Sequence, residues 1–397
     1  MKKQQRSGRR KSWRTISAQK RFADPDRREA SMTMMRLLMF VLLACVGAPA
    51  MADNVFQIDA DLESGTVNHR RMLLCCGLPG DDRHREQMTE ACRRIIGSAQ
   101  VVLGVQPENL VVLAGDEEMQ SVLQSDHAAT EICTRETMIG AIAQAADKLG
   151  PTDAFWCILI GHSHPYGSES QFNVSGKDLN QGEFAKAAAA INCREQVFWL
   201  TQPISGFWIR PLARPGRIIV TATEADLEFT GTEMPYALAA VMAGESENQP
   251  LDDIDGDGTL SFLDLYLATN LEITERFRAI DRLQTEHAQL DDNGDGRGSE
   301  VQQPYLPVVP KDEDEGDKEK DEEESPEEEV QVPDETEVVN AETQPKPPLI
   351  QSRNLDGFRS RYVLISKPNT VEPKPKSESQ KPESETTADN SVETASS

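Results

Sequence analysis

The chain has 397 residues, with 41 Lys+Arg against 67 Asp+Glu, a formal net charge of −26, 38% hydrophobic residues and 5% aromatic ones. That composition supplies one sizeable core with appendages rather than several full domains. The negative sign excludes a phosphate-backbone partner, which needs clustered Lys and Arg, so nucleic acid is not expected and cations are.

Residues 1–52 run against the bulk charge, with 12 Lys+Arg and 3 Asp+Glu. Apolar positions 37–45 follow Arg36, and Ala50-Met51-Ala52 precedes Asp53 with the small-x-small pattern of a signal-peptidase site. This predicts export to the periplasm, cell envelope or medium with cleavage after Ala52, because the apolar stretch is too short to span a bilayer. A rival reading takes Leu42-Leu43-Ala44-Cys45 as a lipoprotein box, and only an acylated Cys45 would make a membrane a partner. The basic run over 2–28 is long for a leader, and Met32, Met34 and Met35 each offer a later start. Six cysteines follow the leader without metal-ligand spacing, and buried thiols are expected.

Across 53–245, short apolar runs alternate with helical periodicity, predicting an α/β domain with a mainly parallel sheet. Strands are predicted over 72–76, 110–113, 155–160, 197–200 and 218–221. One helix carries Met88, Cys92, Ile95, Ile96 and Ala99 on its inner face, and a second carries Met138, Ile139, Ile142 and Ala146 before Gly150 and Pro151 end it. A third opens at Asn180, whose side chain can accept from the backbone of Glu183.

Residues 246–303 hold the most specific motif. Positions 253–264 read Asp-Ile-Asp-Gly-Asp-Gly-Thr-Leu-Ser-Phe-Leu-Asp, and calcium takes its oxygens from about 12 residues at positions one, three, five, seven, nine and twelve. Asp253, Asp255 and Asp257 fill the first three, the Thr259 carbonyl the next, Ser261 a water-mediated place and Asp264 the last. Gly258 stands at the sharp turn and Leu260 anchors the loop, with helices expected over 234–243 and 262–273 in the manner of an EF-hand. Asp264 replaces the usual Glu, which should weaken the site. A second run, Asp291-Asp292-Asn293-Gly294-Asp295-Gly296-Arg297-Gly298-Ser299, begins alike but has Gly298 at position eight and Gln302 at position twelve; a degenerate loop and a plain acidic turn both fit it. The stretch 271–290 between them reads as a charged helix with one apolar face.

From 304 to 397 the composition changes. Residues 311–330 hold 13 acidic and 3 basic side chains, and a disordered tail is expected because such a segment buries too little apolar surface to offset its ordering entropy. The apolar island 358–367 is the exception. It reads either as a strand added to a partner or the parent sheet, or as an exposed patch.

In an open parallel sheet, chemistry collects at the carboxyl ends of strands. The third predicted strand runs into Gly161-His162-Ser163-His164-Pro165, and the fourth into Thr201-Gln202-Pro203-Ile204-Ser205-Gly206. This arrangement resembles the caspase and legumain group of cysteine peptidases, closest to the legumain-like branch and its bacterial relatives. There a strand ends in a histidine motif and the next in Cys-x-Ser-Gly. His162 matches the histidine and Ser205-Gly206 the end of the second motif, while Gly77-Leu78-Pro79-Gly80-Asp81-Asp82-Arg83-His84-Arg85 is similar to the start of bacterial members. The resemblance covers about 71–244 and implies a caspase-like three-layer fold. Pro203 stands at the nucleophile position without thiol or hydroxyl, so the resemblance implies a catalytically inactive module; joined to the 253–264 loop, this reads as a calcium-binding or structural module whose other expected partner is an unidentified protein or peptide. The alternative is a hydrolase in which His162 activates Ser205 or Thr201. His164 with Glu169 could ligate a metal only with a third ligand.

Overall fold

The computed structural model describes residues 67–226, 231–246, 249–306 and 349–368. The leader, Ala52, Cys45 and the acidic run 311–330 lie outside them. Among the described residues no helix is long and apolar enough to cross a membrane.

The chain forms an α/β body. In chain order come β1 (Arg70–Cys76), α1 (Asp82–Leu103), β2 (Leu110–Ala114), α2 (Glu117–Leu123), β3 (Glu131–Ile132), α3 (Arg135–Lys148) and β4 (Ala154–Ile160). Then follow β5 (Ser163–Tyr166), β6 (Glu169–Phe172), β7 (Leu179–Asn180), α4 (Gln181–Ala188), β8 (Glu195–Leu200), α5 (Ile209–Leu212) and β9 (Arg217–Thr221). The body closes with α6 (Met234–Ala243), α7 (Phe262–Ala279) and β10 (Gln289–Asp291).

Seven strands make one sheet in the order β10-β9-β8-β4-β1-β2-β3. All neighbours run parallel except β10, which is antiparallel to β9. The five strands expected from the sequence are the central five. Each is an apolar run bounded by turn residues, as a strand covered on both faces must be. In β4 every residue is buried. Ala154, Trp156, Ile158 and Ile160 face a core shared with α1, α6 and α7; Phe155, Cys157 and Leu159 face one shared with α3 and α4. Adjacent Cys75 and Cys76 divide between the same two cores. All six cysteines among the described residues are free and buried, as expected.

Strand order reverses between β1 and β4, the place where open α/β sheets form their ligand crevice. A small antiparallel sheet, β5-β6-β7, rises from the carboxyl end of β4 over that point. The helix after it opens as predicted, with Glu183 N donating to Asn180 Oδ1 at 2.8 Å.

Three expectations are corrected. The helix expected over 271–290 stops at Ala279. Asp281 turns the chain out with a φ of 52°, and Glu286 then caps α6, accepting from Glu233 N at 2.6 Å and Met234 N at 3.0 Å. A carboxylate at a helix N-terminus is a more favourable use of this segment than another exposed turn. The helix over 234–243 forms as expected and is capped by Gly244, but residues 244–252 separate it from Asp253, so among the described elements α7 is the one that adjoins the 253–264 loop directly. The disorder expected from 304 onward does not extend over 349–368. That segment crosses the body as a strap: Phe262 N donates to Val363 O, Ile365 N to Leu260 O and Ser366 N to Val102 O, at 2.8, 3.1 and 2.9 Å. The apolar island thus pairs with the 253–264 loop of its own chain rather than with the main sheet. Val363 is 1% exposed.

Candidate functional site

Asp253, Asp255 and Asp257 bring carboxylate oxygens within 4.8 Å of one another. The loop's own amides orient them. Gly256 N and Gly258 N donate to Asp253 Oδ1 and Oδ2 at 2.8 and 2.9 Å. Asp257 N donates to Asp255 Oδ1 at 3.0 Å, and Thr259 N to Asp257 Oδ1 at 2.8 Å. Gly256 and Gly258 have φ of 73° and 90°, a region other residues avoid, which is why both are glycine.

Asp264 is fully buried beneath them. Its Oδ1 accepts from Ile254 N at 2.8 Å and Asp255 N at 3.3 Å, and its Oδ2 from Ser261 N at 2.8 Å and Ser261 Oγ at 2.9 Å. The same bonds form a capping box that starts α7. One atom is left over: Asp255 Oδ2 is buried and has no hydrogen-bond partner. Arg361 Nε of the strap stands 3.3 Å from it and donates to Asp257 Oδ2 at 3.1 Å.

Burial pushes the Asp255 carboxyl up to about 6, with Asp264 and Asp257 adding repulsion. Burial also raises Asp264. Burial opposes ionisation of Asp257 too, but the Thr259 hydroxyl and amide and the Arg361 guanidinium outweigh it and hold that carboxyl below its ordinary value. Three crowded carboxylates, one with a buried oxygen that accepts no hydrogen bond, form an all-oxygen donor set suited to a hard divalent cation such as calcium. Thr259 is held in place by its bonds to Asp257, so its carbonyl belongs to the same turn.

The second loop repeats this pattern position for position. Gly294 N and Gly296 N donate to Asp291 Oδ1 and Oδ2 at 2.8 and 3.0 Å, Asp295 N to Asn293 Oδ1 at 2.8 Å, and Arg297 N to Asp295 Oδ1 at 2.8 Å. Gln302 takes no carboxylate role, since it binds the Tyr266 hydroxyl and the Ala288 carbonyl. Asp356 of the strap enters instead, accepting from Asp292 N at 3.2 Å and from Ser299 Oγ. Neither Asp356 nor Arg361 was found by reading the sequence, because both lie far along the chain from the loops they meet. Their nearest signal was the apolar island beside them.

The strand-tip residues are arranged differently from a hydrolase site. His162 is half-buried at the end of β4; its Nε2 bonds the Pro79 carbonyl at 3.1 Å, which fixes the proton on Nε2 because a carbonyl only accepts. Its ring meets the His84 edge at a centroid distance of 4.9 Å, and His84 Nδ1 contacts Asp81 Oδ2 at 2.9 Å. Burial pulls the His162 pKa down. Pro203 is buried. Ser205 is fully buried, and its Oγ accepts from Ala222 N at 3.0 Å and Thr223 N at 3.2 Å. Thr201 Oγ1 donates to Leu159 O at 2.7 Å, also fully buried. Neither hydroxyl has His162 as a partner, and each is committed to joining strand ends. Cys157 lies mid-strand in β4, and burial pushes the Cys193 thiol up to about 12. His164 is paired with Asn173, Nδ1 to Oδ1 at 2.7 Å, and Glu169 accepts from Asn180 Nδ2 at 3.1 Å.

No protein-family model matches the chain, and no curated protein matches it.

Proposed function

We propose that this is an exported calcium-binding protein whose α/β body, of caspase/legumain-like architecture, has no peptidase activity and acts as a binding or structural module around loop 253–264. The observation that carries the reading is Asp255 Oδ2, a buried carboxylate oxygen without a hydrogen-bond partner inside a ring of three carboxylates. Buried negative charge that a single guanidinium only partly offsets is costly, and a bound divalent cation removes that cost.

The inactive reading is supported by the buried proline at the nucleophile position and by the committed hydroxyls of Ser205 and Thr201. The caspase/legumain-like assignment is supported by a mainly parallel sheet covered on both faces, with His162 at one strand tip and the Ser205-Gly206 turn at its neighbour's. Polar groups around Asp81, His84 and His162 at the β1/β4 switch point suit an unidentified protein or peptide. Export rests on the apolar run 37–45 and the Ala52 junction.

Calorimetric titration of the full chain with calcium chloride tests the reading, with Asp253→Ala as control. The expected result is saturable binding that raises the Tm and is lost in Asp253→Ala. Equal affinity in the variant overturns the assignment of the loop.

A further inference from the structure

The strap places a fixed cation in the calcium loop. Arg361 Nε lies 3.3 Å from Asp255 Oδ2 and 3.1 Å from Asp257 Oδ2, with its side chain 14% exposed. Its Nη1 donates to the Ile350 carbonyl at 2.7 Å, so the guanidinium is tethered from both ends of the strap. The Oδ2 atoms are also the oxygens a metal would need. Asp255 Oδ1 already accepts from Asp257 N, and Asp257 Oδ1 from Thr259 N and Thr259 Oγ1.

We propose that Arg361 is a tethered counter-ion that competes with calcium for Asp255 and Asp257, so that metal binding expels the guanidinium and loosens the strap over 349–368. The inference rests on the calcium reading and adds its regulation. A calcium ion sits about 2.3–2.6 Å from its oxygens, and a guanidinium hydrogen-bonded to Asp257 Oδ2 and ion-paired with Asp255 Oδ2 at 3.3 Å fills that space with like charge. Both cannot hold them together. In the metal-free state the guanidinium partly neutralises the carboxylates and ties the strap to the loop. With metal, the strap keeps its bonds to Asp292 but loses the link from Arg361 to the loop, which loosens the pairs that Ile365 and Ser366 make with Leu260 and Val102.

The linkage is reciprocal, so removing the guanidinium must tighten the metal. Two measurements on the full chain test it, with calcium chloride as the probe. In titration, Arg361→Gln is expected to bind calcium about five- to tenfold more tightly than wild type, the scale of a partly buried ion pair. In hydrogen exchange on wild type, saturating calcium is expected to speed exchange of the Ile365 and Ser366 amides while core strands are unchanged. Equal or weaker binding by Arg361→Gln, or greater protection of Ile365 and Ser366 with calcium, overturns the competition. If Asp253→Ala abolishes binding while Arg361→Gln matches wild type, the calcium loop stands and only the competition fails. If neither wild type nor Arg361→Gln binds calcium, the calcium reading itself falls and takes this inference with it.

Discussion

Asp264 and Asp356 hold equivalent places over the two acidic loops. Each accepts from the amide of the loop's second residue, Ile254 or Asp292, and from the hydroxyl of its ninth, Ser261 or Ser299. Asp264 belongs to its own loop, whereas Asp356 comes from the strap, 57 residues beyond Ser299. The carboxylate that closes the second loop therefore also fastens the strap to the body.

Asp356→Ala is accordingly expected to cost about 1–3 kcal/mol in denaturant unfolding, because it strands the amide of the buried Asp292 and removes the carboxylate that ties the strap to Ser299. Its effect should concentrate on the strap, with faster exchange at the Gly357 and Ser360 amides, which donate to Asp292. A loss below about 0.5 kcal/mol would mean that water replaces the carboxylate without penalty.

The parts of the fold legible in the sequence are those with local causes. Leu73, Val112, Ile158, Trp199 and Val220 sit in runs short enough to be strands and apolar enough to be covered on both faces, and the turn at Asn180 declares itself by capping chemistry. The spacing of Asp253, Asp255, Asp257 and Gly258 was equally readable, since the carboxylate turn they form is written in contiguous residues. The strap was not. Spacing rules tested position twelve of the second loop, found Gln302, and could not look as far as Asp356. The β10 edge was missed for a related reason: Gln289, Leu290 and Asp291 are too few to show alternation, and their pairing with β9 is set by tertiary contact.

At Ser205, the two accepted amides predict a structural rather than a chemical role. Ser205→Ala removes the acceptor from Ala222 N and Thr223 N and should cost about 1–3 kcal/mol of stability. An activated phosphonate should leave wild type unlabelled, as read by intact mass. A single adduct mapped to Ser205 would restore the hydrolase alternative.

Gly298 explains why the second loop lacks the apolar residue that Leu260 provides in the first. A Cβ there would lie 2.6 Å from Gln289 Cβ and 2.7 Å from Ile209 Cδ1, atoms of β10 and α5 that already fill the space. Gly298→Ala should therefore destabilise the protein by about 1–3 kcal/mol, while Gly97→Ala on the open face of α1, with nothing within 4 Å, should be neutral or slightly stabilising. Similar midpoints for the two variants in urea would contradict the packing at Gly298.

The last prediction concerns pH. Burial, opposed by the Ser360 bonds and reinforced by Asp356, pushes the Asp292 carboxyl up to about 7, whereas in an unfolded chain it titrates near about 3.9. The folded state thus holds more protons than the unfolded state between those values. Stability from this group is greatest below about pH 4 and is lost as pH rises through about 7. Asp255 and Asp291, each raised to about 6 mainly by burial, act in the same direction. His127 and His162, lowered by burial, act in the other direction, so raw stability is a poor readout. The difference between Asp292→Asn and wild type isolates one carboxyl. Asn carries no charge to desolvate, so with chelator present the variant should gain on wild type by about 2 kcal/mol as pH rises from 5 to 8, whatever constant offset its amide imposes opposite the Ser360 donors. Urea unfolding at both pH values reads this directly, and a difference that stays flat would mean Asp292 is ionised in the folded protein across the whole range.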